Sequence, residues 1–287
     1  MSSPDMNAVY ADFITANHIL SYHGIVDAFG HISMRVPGDP STFLMTGSMP
    51  PALMRTADDI GIYDVETAAP ISGSTDGHDS PYSELSIHAQ MYEAYPDVAC
   101  VVHSHAKAVV AMSNCDTDDS GRPTGILRAM WHMGGFIGAA GDVPIFDPQQ
   151  LGCYEPEEIG ITVNKRDLLI STPFLGGALA GCISDFELPL PRLPTHALVL
   201  QRGHGFVTWG TSLRQAVYRA VYAEENAQVQ QMSEAVVRAT PGARGVYLSE
   251  GEARDAKEMN DGAIVKAWPF WEAQVRAHPL YVNELRP

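Results

Sequence analysis

Residues 97–113, DVACVVHSHAKAVVAMS, close an apolar run with two histidines one residue apart, His103 and His105. On a strand, residues i and i+2 point to the same face, so these imidazoles would project together and be able to share one ion. On a helix they would stand about 200° apart, which makes an extended ACVVHSH the condition for a joint role. Two packing histidines are the plain alternative. A third histidine, His204, lies between Gly203 and Gly205 in ALVLQRGHGFVTWG, just past another apolar run. Flanking glycines let the chain turn sharply and leave room for something bound close to the backbone. A turn histidine bonded to its own backbone is the alternative there. Glu84 is the candidate carboxylate, at the start of a helix leading into the His-x-His strand. An acidic group in a first helical turn is also favoured by the helix dipole alone. Three imidazoles and one carboxylate suit Zn²⁺, Mn²⁺ or Fe²⁺ and discriminate poorly among them. An ion held mainly by neutral imidazoles keeps enough charge to act as a Lewis acid on a bound carbonyl or enolate.

These residues need elements to position them. NAVYADFITANHILSYHG carries apolar residues at helical spacing and ends at Gly24, a C′ glycine. Strand-like pieces follow, HISMRV, TFLMTG and DIGIYDV, separated by turn residues such as PGDPS, in the pattern of a meandering sheet. Residues 71–83 read as a Gly-, Ser- and Asp-rich loop, and a helix is expected from about Ser83 to Tyr95, closed by Pro96. Leu85, His88, Tyr92 and Tyr95 share one of its faces. After the strand ACVVHSH come a short helix through AVVAMS and a polar loop, NCDTDDSGRPTG. VPIFD and HALVLQ read as further strands. The clearest helix begins after Ser212, with Gln215 in capping-box spacing and a buried stripe of Leu213, Ala216, Val217, Ala220 and Val221. The pattern describes one α/β domain over residues 1–242 and a docked helical extension over 243–287.

The chain has 287 residues, 45% hydrophobic and 18% charged, the composition of an ordinary globular protein. Its formal net charge of −16, without a Lys/Arg cluster, argues against a nucleic-acid partner. No apolar run reaches the roughly 18 residues of a membrane span. The N-terminus has no basic start or apolar core of a secretory signal, so the cytoplasm is the expected compartment. Four widely spaced cysteines without a Cys-x-x-Cys pair disfavour a disulfide framework and a cysteine zinc site, and point to reduced, mostly buried thiols.

Taken in order, HGIVDAFGHISMRVPGDPSTFLMTG, PYSELSIHAQMYEAYPDVACVVHSHA and LVLQRGHGFVTWGTSLRQAVYRA resemble the class II aldolase/adducin family over roughly residues 8–240. The resemblance implies a three-layer α/β/α fold on a central, mostly antiparallel sheet. It also implies a homotetramer with sites near subunit interfaces and one divalent ion (Zn, Mn or Fe) per subunit. The family's metal histidines match His103, His105 and His204. Its acid/base glutamate, which can also bind the metal, matches Glu84. Its substrate-binding turn matches Thr46, Gly47 and Ser48.

The departures bear on substrate. Where the sugar-phosphate aldolases carry Gly-Asn this chain has Gly30-His31, and where they carry two serines it has Tyr82-Ser83. A histidine and a phenol suit a planar, carboxylated small molecule better than a phosphate. The form DAFGHIS is nearer the branch that decarboxylates hydroxylated aromatic or pyridine dicarboxylates. The long span between His105 and His204 contains RAMWHMGGFIGAAGDVPIFD, from which Trp131 and His132 are candidates for the pocket. Aldol cleavage and decarboxylation both leave an electron pair where a C–C bond was, which a divalent ion can absorb and a general acid can then protonate. Glu84 is the expected acid, with His31 or His132 holding the departing carboxylate or delivering the proton. Arg35 is a candidate partner for a second carboxylate, or a solvent-face charge. His88, one turn after Glu84, reads as a packed orienter. A metal-dependent decarboxylase is thus expected; the alternatives are an aldolase or epimerase on a sugar or sugar phosphate, and a non-haem iron oxygenase on an aromatic 2-oxo acid. A non-enzymatic scaffold of the adducin kind would have lost metal ligands that are all present here.

Overall fold

The first helix, α1 (Met6–Tyr22), starts where Asp5 accepts the Asn7 amide at 3.1 Å and turns Phe13, Ile14, Ile19 and Leu20 inward. It lies in a computed structural model that describes residues 5–47, 49–71, 82–114, 126–151, 166–185 and 188–286. Three strands follow as an antiparallel meander, β1 (His31–Val36), β2 (Asp39–Thr46) and β3 (Ile60–Asp64). The expected loop at 71–83 falls mostly outside the described residues, as does the polar loop at 114–125 except for Asn114. Helix α2 (Leu85–Ala94) leads into β4 (Cys100–Ser104) and the short α3 (Lys107–Ser113). Next come β5 (Ile145–Phe146), α4 (Pro173–Cys182), β6 (Leu198–Gln201) and β7 (Gly205–Gly210). Two long helices end the chain, α5 (Leu213–Ala239) and α6 (Glu250–Ala277).

The strands form one seven-stranded sheet in the order β3-β2-β1-β4-β7-β6-β5, antiparallel except for the β5/β6 pair. Strand alternation sends Ile32, Met34, Cys100, Val102, Leu198, Leu200 and Phe206 to one face, under α1, α3, α5 and α6. Phe43, Met45, Val101, Val199, Val207 and Trp209 go to the other face, under α2 and α4. The fold is thus α/β, with helices on both faces of a mostly antiparallel sheet. Helix α6 is capped by the reciprocal Ser249/Glu252 box and buries Ile264, Trp268, Trp271 and Val275 in the same core as α1. Helix α5 begins at Ser212, but Gln215 reaches back to the Thr211 amide at 2.8 Å instead of closing the box on Ser212. Cys100 and Cys182 are buried free thiols; Cys115 and Cys153 lie outside the described residues. Among the described residues no helix is long and apolar enough to cross a membrane.

One end of the sheet matters most. Antiparallel pairing sets the first residue of β1 opposite the penultimate residue of β4, with His31 paired to His103. The tight β6–β7 turn, Gln201 to Gly205, opens at the same end, since Ser104 pairs with Phe206.

Candidate metal and active site

At that end His103 is the penultimate residue of β4, with its side chain on the α2 face beside Val101. His105 falls one residue beyond the strand, which leaves it partly exposed while His103 is fully buried. His204 sits at the tip of the β6–β7 turn. Gly203 takes φ +67° there, and a Cβ on Gly205 would overlap the Ser104 carbonyl, so both flanking glycines are required by the chain path. Glu84 is the N-cap residue of α2 but caps nothing; its Oε1 accepts the Ile170 amide at 2.8 Å and its other oxygen faces the histidines. The expected place in the first helical turn is therefore corrected by one residue, and a helix-dipole role does not account for the side chain's direction.

The four donor atoms of Glu84, His103, His105 and His204 lie within 4.8 Å of one another. Around the ring of neighbours the separations are 3.3 Å from Glu84 Oε2 to His103 Nε2 and 2.9 Å from His103 Nε2 to His105 Nε2. They continue at 3.1 Å from His105 Nε2 to His204 Nε2 and 3.6 Å from His204 Nε2 back to Glu84. Ligands about 2.0–2.2 Å from a tetrahedral ion stand about 3.3–3.6 Å apart, so the set is close to the size of one coordination shell. The proton position of His204 agrees. His204 Nδ1 lies 3.0 Å from the Leu168 carbonyl, which can only accept, so Nδ1 carries the proton and Nε2 turns a bare lone pair to the cluster. His105 Nδ1 lies 3.7 Å from Asp27 Oδ1, a carboxylate held in place by the Phe29 and Gly30 amides. Burial, then the neighbouring rings, push His105 down to about 4, and burial likewise lowers His204. Burial alone would raise the Glu84 carboxyl, but His103, His204 and the Ile170 amide outweigh it and bring it to about 2. The lowered His105 and His204 rings beside an ionised Glu84 carboxylate suit a divalent cation.

Around this set His31 is buried, its ring centroid 4.9 Å from His103 and 4.8 Å from Tyr82. Burial and then the surrounding histidines hold His31 well below the ordinary range. Half-buried Tyr82 directs its hydroxyl to the Met49 carbonyl at 3.3 Å, and Ser83 is exposed. Gly30, Thr46 and Gly47 are buried. Ser48 lies outside the described residues.

Two candidates are not brought to the cluster within this chain. Arg35 does not offer its guanidinium to this site: its nitrogens donate to the carbonyls of Val98, Pro40 and Tyr92, and its plane covers the Tyr92 ring at 4.7 Å. Its three donor nitrogens are thus engaged by backbone carbonyls. His132 stands on the opposite sheet face within this chain, in a short 3₁₀ turn packed on α5 and α6, where its carbonyl accepts from Asn260. It is exposed, and Trp131 packs against it and Tyr222 instead of lining the cluster. The residues not foreseen were Asp27, the Leu168 carbonyl, the Ile170 amide, Ser33 and Tyr92. Glu84, His88 and Tyr92 recur every four residues, and that helical spacing was the available signal for part of this set.

A mostly antiparallel sheet with helices on both faces carries three histidines and a glutamate at one end, a donor set that could hold a metal ion. Residues 11–231 match the Class II Aldolase and Adducin N-terminal domain, and the chain belongs to that family. It is 36% identical over 277 residues to the decarboxylase tropJ of Talaromyces stipitatus, covering 94% of this chain and 95% of that one. It is 27% identical over 216 residues to the 3,4-dihydroxyphthalate decarboxylase of a Terrabacter species, covering 75% and 76%. Among solved structures, an aldolase II superfamily protein from Pseudomonas syringae superposes with a TM-score of 0.67 at 16% identity, over 97% of this chain and 96% of that one.

Proposed function

We propose that the protein is a divalent-metal-dependent decarboxylase acting on a small hydroxylated aromatic or heteroaromatic carboxylic acid. The convergence of the Glu84, His103, His105 and His204 donor atoms within 4.8 Å carries this reading. Near full-length similarity to a decarboxylase supports the reaction type. Those four residues would hold the ion, which when bound supplies a Lewis acid for a phenolate or carbonyl oxygen of the substrate.

The chain's own groups do the rest. Glu84 takes the proton of a substrate hydroxyl. The C–C bond to the carboxylate breaks, its electron pair stays on the ring carbon, and CO2 departs. Glu84 then returns the proton to that carbon. His31 and Tyr82 present a ring face and a polar edge beside the cluster, a wall suited to a flat anionic substrate. Apolar side chains exposed on α5 and α6, including Met232, Val236, Val265 and Phe270, fit the expectation of a homo-oligomer.

CO2 release from a panel of hydroxylated phthalates and pyridine dicarboxylates, by metal-reconstituted enzyme, tests the proposal. Release that disappears with a chelator is the expected result. No release from any member, with aldehyde formed from a sugar phosphate instead, would replace it with aldol cleavage.

A further inference from the structure

Behind the cluster, away from any opening, a line of hydrogen bonds runs from His31 into the layer between β1 and α2. His31 Nδ1 lies 2.7 Å from His88 Nε2, His88 Nδ1 lies 2.5 Å from Ser33 Oγ, and Ser33 Oγ lies 2.7 Å from the Tyr92 hydroxyl. All four side chains are buried. Strand alternation puts His31 and Ser33 on one face of β1, and helical spacing puts His88 and Tyr92 on one face of α2, so the line follows from the packing of two regular elements.

The direction of its protons can be counted. Among the described residues Ser33 Oγ is the hydrogen-bond partner of the Tyr92 hydroxyl, so the phenol proton has Ser33 as its acceptor. Ser33 accepts that proton and turns its own toward His88 Nδ1. A bare Nδ1 places the single proton of a neutral His88 on Nε2, which donates to His31 Nδ1. The reverse order would bury the Tyr92 O–H without an acceptor, and a doubly protonated His88 would orphan the Ser33 proton in the same way. With Nδ1 accepting, His31 carries its proton on Nε2, the one ring nitrogen left for a ligand.

We infer that the Tyr92–Ser33–His88 line locks His31 as a neutral hydrogen-bond donor through Nε2–H, making Ser33 and His88 positioning residues and an anionic substrate oxygen the matching partner of His31. Locked in this way, His31 cannot serve as the proton acceptor, which leaves that work to Glu84. The inference rests on the reading of the cluster as a catalytic site for its meaning, but not for its measurement. Burial, with a further push from His103, brings His88 down to about 3, in keeping with a neutral ring.

Nitrogen-15 spectra of histidine-labelled, zinc-loaded protein test the inference without any turnover, with His31 assigned by its loss in His31→Asn. The expected wild-type signature is a protonated Nε2 and a bare Nδ1 at His31. Tyr92→Phe keeps it, because the Ser33 proton still has only His88 to receive it. Ser33→Ala removes the donor to His88 and shifts His31 to a mixture of tautomers, at unchanged metal content. A wild-type His31 protonated on Nδ1 would overturn the inference, and so would a folded Ser33→Ala protein with the wild-type signature. Since the spectra need no substrate, absence of CO2 release would discard the decarboxylase reading and leave this result standing.

Discussion

His105 and His204, 99 residues apart in the chain, face each other with Nε2 atoms 3.1 Å apart and ring planes inclined by only 26°. Neither lies within a regular element, yet each directly adjoins one: His105 follows β4 and His204 precedes β7, which are paired in the sheet. His105→Ala and His204→Ala should each lower metal affinity by more than the roughly 10–100-fold typical of losing an outer partner. The fold should survive, because both side chains are partly exposed. Metal content after dialysis, with circular dichroism as control, checks this; full metal retention in either variant would remove that residue from the ligand set.

Glu84 combines a ligand position with the proton-carrying role proposed here. Glu84→Gln keeps the shape and an oxygen for the Ile170 amide but has no carboxylate to accept a proton. The variant should fold, hold metal more weakly and lose turnover by at least the 10²-fold typical of a missing acid–base group. Wild-type rates in metal-saturated Glu84→Gln would assign the proton transfer to another residue.

The short helix after His105 is anchored from across the core. Glu224 on α5 accepts the Ala108 amide at 3.2 Å through Oε1, and the Ala108 and Val109 amides at 3.1 Å through Oε2. Glu224→Ala strands buried amides at a helix start and should cost about 2–3 kcal/mol. Urea unfolding measures the loss. Metal affinity should fall as well, since the anchored turn begins two residues after His105.

His18, buried on α1 with Nε2 at 2.8 Å from the Met54 carbonyl, gives stability a pH dependence. Burial drives its pKa from 6.5 down to about 4 against the pull of that carbonyl. Within that window the unfolded chain takes up a proton that the folded chain refuses. Stability is therefore complete above the unfolded value, declines as pH falls toward 4, and levels off below it. The loss at this site is roughly 3 kcal/mol at 1.36 kcal/mol per unit. His18→Gln, which keeps an N–H for Met54, should show a shallower decline in urea titrations between pH 6.5 and 4. An unchanged slope would exclude His18 as a source of acid sensitivity.

The meander, the His-x-His strand and the long capped helix were legible because hydrophobic period and turn chemistry are local. HISMRV became β1 residue for residue. The gathering of Glu84, His103, His105 and His204 was legible from residue types together with the order of motifs, not from spacing alone. Arg35 is held away from the cluster because its partners are carbonyls up to 63 residues away, and a carbonyl has no signature in the sequence. The same holds for the Leu168 carbonyl and the Ile170 amide, which any residue at those positions would supply. His132 lies apart from the cluster within this chain for a topological reason: the described residues between β4 and β6 include a stretch on the other sheet face.

Leu168 itself has φ +67°, a left-handed backbone that a branched side chain adopts only under constraint. Its carbonyl is the one that fixes His204. The basicity of His204 Nε2 is therefore coupled to a twist in a connecting segment outside the four-residue cluster. Under the proposed function, sequence change in that segment can retune the electron-withdrawing power of a bound ion while Glu84 and the three histidines stay the same.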